Sequence, residues 1–227
     1  MKLLALDTST AACSVAINLD GKIFESHFIE AKSHTRVLLP AISGLLDDAK
    51  IIIDDIDAVV LGIGPGSFVG MRIGASVAQG LAFAGNIKII PVSSMETIAL
   101  EILLTHDLDE LVVIQDARMN EVYIGEYKLN LDGVTEVLSP IKLQSISECA
   151  NEYSNQQKNI VGIGFTRNPE SIKNINFTID LEGGVGYPRA NYLLVLAERK
   201  YFVSAMIEPE NLILDYIRQE VASKPNK

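Results

Sequence analysis

Only 2 of the 227 residues are cysteine and only 3 are histidine, and this scarcity limits the chemistry open to the chain. Cys13 and Cys149 sit far apart in apolar or helical contexts, the default setting for free, partly buried thiols of a reducing compartment. His27, His34 and His106 fall on a strand, a helix start and a helix end, with no ligand spacing among them, so no metal is expected. No apolar run is long enough to cross a membrane. Leu3-Leu4-Ala5-Leu6 is cut by Asp7 before it reaches the length of a signal-peptide core, so the expected location is the cytoplasm. Basic clusters are missing as well. Against 29 Asp and Glu stand 19 Lys and Arg, a formal net charge of −10. Nucleic-acid binding leans on cationic contacts to phosphate, so a chain of this balance is a poor stand-alone binder. If it acts on RNA, another subunit does the holding.

What the chain has is apolar residues, 48% of the total, ample for one domain or two small ones. Residues 58–63 form a buried strand pattern that stops at Gly64-Pro65-Gly66, and Ser67 opens a helix running through Phe83. Glycine permits so sharp a turn, and Ser67 can accept a backbone N–H as N-cap. Gly66, Gly70, Gly74, Ala78 and Ala82 then recur at every fourth position, which lines them along one helix face. Mid-helix glycine costs about 1 kcal/mol relative to alanine, so another backbone is expected against that face. It can lie inside the domain or across a subunit contact. The rival role is an anion cradle at the helix N-terminus. Walker A would need a lysine after the glycines, and the dinucleotide fingerprint a glycine near Phe68 and Val69; neither is present.

The pattern divides into two similar halves. A strand over 3–7 ends in Asp7, a second covers 13–17, and Asp20-Gly21 turns into a third over 22–28. A helix over 33–48 carries Val37, Leu38, Ala41, Ile42, Leu45 and Leu46 at helical spacing. The strand near Val59, the glycine-faced helix, a strand over 88–92 and a helix over 93–104 follow. Near residue 110 the order restarts. A strand over 111–116 ends in Asp116, a turn over 117–120 leads to a strand over 121–127, and Leu129-Asn130-Leu131-Asp132-Gly133 echoes Ile17-Asn18-Leu19-Asp20-Gly21. A helix over 145–153, a strand over 159–163 and a helix over 190–201 complete a looser copy. Duplicated βββαβα halves predict an α/β fold of the actin-like, hexokinase-like (ASKHA) type, with its site in the cleft between lobes. The expected lobes are 1–104 and a reduced 105–205. Residues 206–227 should return toward the first lobe and end in a solvated tail. A plain doubly wound sheet would alternate strand and helix from the start.

Five sets of residues occur in order across nearly the whole chain. They are Asp7-Thr8-Ser9-Thr10; His34 with Leu38-Leu39-Pro40; Gly64-Pro65-Gly66-Ser67-Phe68 with Gly70 and Arg72-Ile73-Gly74; Asp116-Ala117-Arg118-Met119 with Glu121-Val122-Tyr123; and Asp215-Tyr216-Ile217-Arg218. Together they resemble the bacterial TsaB (YeaZ) family, and Val69-Gly70-Met71 departs mildly from its usual Thr-Gly-Leu. The resemblance implies a non-catalytic actin-like paralogue that supports TsaD. That enzyme transfers a threonylcarbamoyl group to adenosine 37 of tRNAs reading ANN codons, and a small ATPase, TsaE, joins the pair. It further implies a heterodimer with TsaD through first-lobe helices, a homodimer when alone, tRNA contact only through the complex, and no cofactor. The expected partner interface is His34, Arg36, Leu38, Ser67, Gly70, Arg72, Gly74 and Ala78.

Two rival functions meet obstacles in the residues. A metal peptidase of the TsaD type would need His-x-x-x-His on the first helix, where i and i+4 share a face, and Leu38 stands at the second ligand position. A nucleotide-binding ATPase module would use Asp7, Thr8 and Asp116. Thr8-Ser9-Thr10 lacks the hairpin glycine, Asp7 serves equally to cap its turn, and Arg118 is close enough to neutralise Asp116. Glu182-Gly183-Gly184-Val185-Gly186 fits an ordinary loop before the last helix better than a second phosphate loop. Nothing marks either cysteine as an activated nucleophile.

Overall fold

Hairpin turns and buried apolar runs dictate the first sheet of the computed structural model, which describes residues 1–29, 33–154, 156–165, 172–179, 181, 186–201 and 205–218. Strands β1 (Lys2–Asp7), β2 (Ala12–Leu19) and β3 (Lys22–Ile29) form two antiparallel pairs. The second is joined at Asp20 and Gly21, whose φ of 51° and 97° supply the left-handed two-residue turn. Helix α1 (His34–Ala49) crosses over to β4 (Ala58–Gly62), and α2 (Phe68–Gly85) to β5 (Lys88–Val92), so that β1, β4 and β5 run parallel. The order is β3-β2-β1-β4-β5.

After α3 (Ser94–Thr105) the order repeats with β6 (Glu110–Arg118), β7 (Glu121–Leu129), β8 (Thr135–Ser145), α4 (Ile146–Tyr153) and β9 (Ile160–Ile163). The second sheet runs β8-β7-β6-β9, with only β6 and β9 parallel. A shared 3-2-1-4 order in two sheets is the actin-like arrangement that the duplicated halves predict. Helix α5 (Ala190–Leu196) follows.

The sheets are covered on both faces, which is why β1 and β4 are continuously apolar rather than alternating. Leu4, Leu6, Val59 and Leu61 pack under α1 and α2. Leu3, Ala5, Ala16 and Val60 pack under α5. Helix α3 lies on the second sheet through Met95, Ile98 and Ile102, and α4 covers that sheet's far side through Cys149 and Tyr153. Helix α5, expected to complete the second half, thus lies on the first sheet. Its Ala190, Leu193 and Leu194 fit the shallow face left by Ala5, Ala16 and Ala58. Arg189 pairs with Glu25 of β3 at 2.5 Å, and the Ala190 N–H donates to Ser14 Oγ at 2.8 Å. Strand β8 carried no clear sequence signal, because it is largely exposed and broken by Pro140.

One buried carboxylate ties these layers together. Glu96 on α3 is 2% exposed; it accepts from Thr135 Oγ1 and Lys200 Nζ at 2.5 Å each, and from Tyr201 OH at 2.6 Å. Residues 205–218 then return along the first sheet. Ile207 bridges to Ile89, Gln79 Nε2 donates to the Pro209 carbonyl at 2.8 Å, and the Asp215 N–H donates to the Ile63 carbonyl at 3.1 Å. The glycines at 183 and 184 and the tail at 223–227 lie outside the described residues.

Candidate functional site

The turn at 64–67 sets the N-terminus of α2 against the turn between β1 and β2. Ser67 caps the helix as expected, its Oγ accepting from the Gly70 N–H at 3.2 Å. The Ser67 N–H donates to the Ser9 carbonyl at 2.6 Å, and Thr8 Oγ1 donates to the Gly70 carbonyl at 2.7 Å. A Cβ on Gly66 would stand 2.2 Å from Ser9 O, one on Gly70 2.1 Å from Thr8 O, and one on Gly74 2.6 Å from Thr8 Oγ1. The backbone that this small-residue face accommodates is therefore the chain's own. Gly70, Gly74 and Ala78 are buried, which corrects their assignment to a partner interface. The Thr8 and Ser9 carbonyl oxygens press against α2 at Gly70 and Gly66, and Ser67 Oγ takes the Gly70 N–H, which leaves less of the helix N-terminus to an anion.

Asp7 is similarly committed. Its Oδ1 accepts from Ser9 N–H and Ser9 Oγ at 2.7 Å each, and its Oδ2 from Ser94 Oγ at 2.6 Å. Burial raises its carboxyl above the usual aspartate range, opposed by the bonds from Ser94 and Ser9. Gly62 passes so close that a Cβ there would stand 1.8 Å from Asp7 Oδ2. Asp7 and Thr8 are spent on holding the turn, which corrects their assignment to a nucleotide. Asp116 does line the cleft, but its Oδ2 takes Arg118 Nη1 at 2.6 Å and its Oδ1 the Arg118 N–H at 2.8 Å. These residues do not fit the magnesium–phosphate group of an actin-like ATPase.

Among the described residues, no cluster of three or more His, Cys, Asp and Glu is placed to hold a metal ion. His34 instead anchors the start of α1, with Nε2 2.8 Å from the Thr10 carbonyl. Cys13 and Cys149 are free and buried, and burial pushes their thiols up to about 11 and about 12.

Two concavities flank this filled turn. The first is a groove of about 410 Å³ between α1 and α2, walled by Leu38, Leu39, Phe68, Val69, Ile73 and Val77, with His34 and Arg72 also lining it. Leu39, Phe68 and Val69 are 54%, 40% and 65% exposed, and Phe83 at 60% extends the apolar strip along α2. Arg36 is exposed on α1, whereas His34 and Leu38 are largely buried. The Arg72 guanidinium lies 3.8 Å over the Phe68 ring and its Nε donates to Tyr216 OH at 3.0 Å. The groove lies between the two helices that carry the expected interface residues, and Gly70, Gly74 and Ala78 face away from it. Val69, Ile73 and Val77, at the same four-residue spacing one step round the helix, are the signal that was missed.

The second concavity, of about 950 Å³, lies between the lobes, bounded by the start of α2, the β6–β7 turn and the C-terminal segment. At its rim Arg118, Met119 and Asn120 take φ of 64°, 56° and 60°. Arg218 grips that turn. Its Nη2 donates to the carbonyls of Ala117 and Arg118 at 3.1 and 3.3 Å, its Nη1 reaches Met119 Sδ at 2.9 Å, and it pairs with Glu121.

Fold and site together define an actin-like, two-lobed protein whose phosphate-binding turn is filled by its own backbone. The family model described as TsaD, tRNA N6-adenosine threonylcarbamoyltransferase, matches residues 28–174. The tRNA threonylcarbamoyladenosine biosynthesis protein TsaB of Haemophilus influenzae is 33% identical over 233 residues, spanning 99% of this chain and 96% of that protein. Its Escherichia coli namesake is 32% identical over 228 residues, spanning 99% and 97%. Among solved structures, YeaZ from Pseudomonas aeruginosa superimposes with a TM-score of 0.82 at 30% identity, covering 95% of this chain and 99% of that one. The chain belongs to the TsaB (YeaZ) family, within the wider group that the TsaD model describes.

Proposed function

We propose that this protein is a non-catalytic subunit in the synthesis of threonylcarbamoyladenosine on tRNA, acting by docking a TsaD enzyme on the groove between α1 and α2. The observation that carries this role is the pairing of an open apolar groove with a filled phosphate turn. The groove exposes Leu39, Phe68 and Val69, and apolar surface of this kind marks protein contacts. The turn beside it spends Asp7, Thr8 and the Gly70 N–H on internal bonds. The interface we assign is His34, Arg36, Leu38, Ser67 and Arg72 from the expected set, joined by Leu39, Phe68, Val69, Ile73 and Val77. The functional lobes are the first sheet with α1, α2 and α5, and the second sheet with α3 and α4, so the expected bounds at 104 and 205 are crossed by α3 and α5, and residues 205–218 return to the first lobe.

TsaE joins the pair, tRNA is held by the partner because this chain carries a net charge of −10, and the isolated protein closes its groove as a homodimer in the cytoplasm. A subunit of this kind accelerates its enzyme by binding the competent state of that enzyme more tightly than the incompetent one. Reconstitution with TsaD, TsaE and tRNA tests the proposal. Modified adenosine is expected only when this chain is added. Val69→Asp is expected to abolish assembly and modification while leaving the far-UV circular dichroism of the folded chain unchanged, since Val69 is 65% exposed within one chain. Modification at full rate without this chain would refute the proposal.

A further inference from the structure

The groove and the interlobe cleft share a wall, since His34, Thr35, Phe68, Val69 and Ile73 line both. A partner seated on α1 and α2 therefore reaches the mouth of the cleft. Two features found there are only partly used within the chain.

The first is a charge. Asp215 lines the cleft, partly buried, and among the described residues its carboxylate has no cation or hydrogen-bond donor beside it. Burial holds it above the usual aspartate range. Two carboxylates around it are matched, Asp116 by Arg118 at 2.6 Å and Glu121 by Arg218, while the Arg72 guanidinium is stacked on the Phe68 ring and donates to the Tyr216 hydroxyl. Gln115, on the same wall and 6% exposed, also keeps its Oε1 without a donor.

The second is a side chain held out at a conformational cost. Left-handed backbone costs a non-glycine residue roughly 1–2 kcal/mol, and three such residues follow one another at 118–120. Strain of this kind persists only where the surroundings over-determine it, and Arg218 does so through its bonds to Ala117, Arg118 and Met119. The Met119 side chain so displayed is 65% exposed, so its own burial does not repay that cost.

We propose that the cleft receives a cationic side chain of the partner protein, a lysine or arginine flanked by apolar residues, with its charge on Asp215 and its apolar flanks against Met119 and Phe68. This inference rests on the docking role assigned to the groove. A partly buried carboxylate without a partner carries a desolvation cost that an incoming ammonium or guanidinium offsets. The excess negative charge of the chain favours the approach of that cation, and a space of about 950 Å³ holds several side chains. The ion pair fixes the register of the partner along the groove, which apolar contact alone leaves loose.

Isothermal titration of the chain into its TsaD partner, at about 50 and 300 mM salt, tests this. Asp215→Asn is expected to weaken binding roughly tenfold or more and to flatten its salt dependence. Met119→Gly relieves the left-handed strain, so it is expected to raise the melting temperature while weakening binding severalfold. A purely structural methionine would not give that opposition of sign. Val69→Asp separates this inference from the groove itself. Loss of binding in Val69→Asp, with Asp215→Asn and Met119→Gly at wild-type affinity, overturns the cleft inference and leaves the groove standing. Weakened binding in the two cleft variants, with Val69→Asp unaffected, supports the cleft and overturns the groove.

Discussion

Thr8 and Gly70 hold each other from both sides: Thr8 Oγ1 donates to the Gly70 carbonyl at 2.7 Å, while the Thr8 carbonyl stands 2.1 Å from where a Gly70 Cβ would lie. The two residues join the end of β1 to the first turn of α2 and close off the phosphate position of the fold. Overpacking costs about 1–3 kcal/mol, which exceeds the roughly 1 kcal/mol that alanine returns in helix propensity. Because the clash is with backbone, at the upper end of that range, Gly70→Ala should destabilise the protein by up to about 2 kcal/mol net. Gly80 on the same helix has nothing within 4 Å of a built Cβ, so Gly80→Ala should stabilise by up to about 1 kcal/mol. Urea melts of the two variants check the opposite signs. Gly74→Leu, facing Thr8, Leu6 and Leu61, should disrupt the lobe itself and is no clean probe of association.

Among the described residues, Glu96 is the carboxylate that pairs with Lys200 Nζ in this buried network. Removing one partner of such a pair leaves the other charge poorly compensated, at a cost of about 3 kcal/mol. Glu96→Ala should lower stability by that order, and Glu96→Gln by less, because its one amide oxygen still accepts from Thr135 Oγ1 while its NH2 can donate to the Tyr201 hydroxyl. Chemical denaturation gives the values; a Glu96→Ala variant as stable as wild type would refute the assignment.

Burial lifts the Glu101 carboxyl from 4.5 to about 7, with Arg189 pulling it down and Glu25 pushing it up. Its Oε2 has no hydrogen-bond partner. The folded protein therefore binds this proton more tightly than the unfolded chain does. The resulting stability is fully present below about pH 4.5 and lost as pH rises through about 7. Glu101→Gln should remove that slope, so its melting temperature should gain on wild type progressively between about pH 5 and 8. Parallel curves for the two proteins would contradict it.

The thiols of Cys13 and Cys149, raised to about 11 and about 12 by burial, should be inert toward a disulfide reagent at about pH 8 until the protein is denatured. Cys13→Ala and Cys149→Ala should leave reconstituted tRNA modification nearly intact. Rapid labelling of either thiol in the native protein would count against the absence of covalent chemistry here.

Most of the architecture was legible as local pattern. Short apolar runs and the turn chemistry that bounds them marked β1 to β3. The Ser67 cap and glycine spacing marked α2, and Ser145 with Glu148 forms a capping box that starts α4 where expected. The echo between residues 17–21 and 129–133 exposed the duplication, hence the fold. Strand β8 escaped because, Thr135 apart, its core-facing side is only partly buried, and the alternation carried by Ile141 and Leu143 is short and follows Pro140. The position of α5 escaped because an apolar helix does not state which of two sheets it covers.

Composition, motif order and periodicity by themselves determined the two-lobed class, the family resemblance and the absence of a metal-ligand spacing, because each depends on residue type and local spacing alone. The tertiary structure alone decided which side of α2 is free. Periodicity orders side chains around a helix but says nothing of what lies against each side. Here the answer is set by Thr8, 62 residues away from Gly70 in sequence, which turns the glycines inward and leaves Val69, Ile73 and Val77 lining the groove.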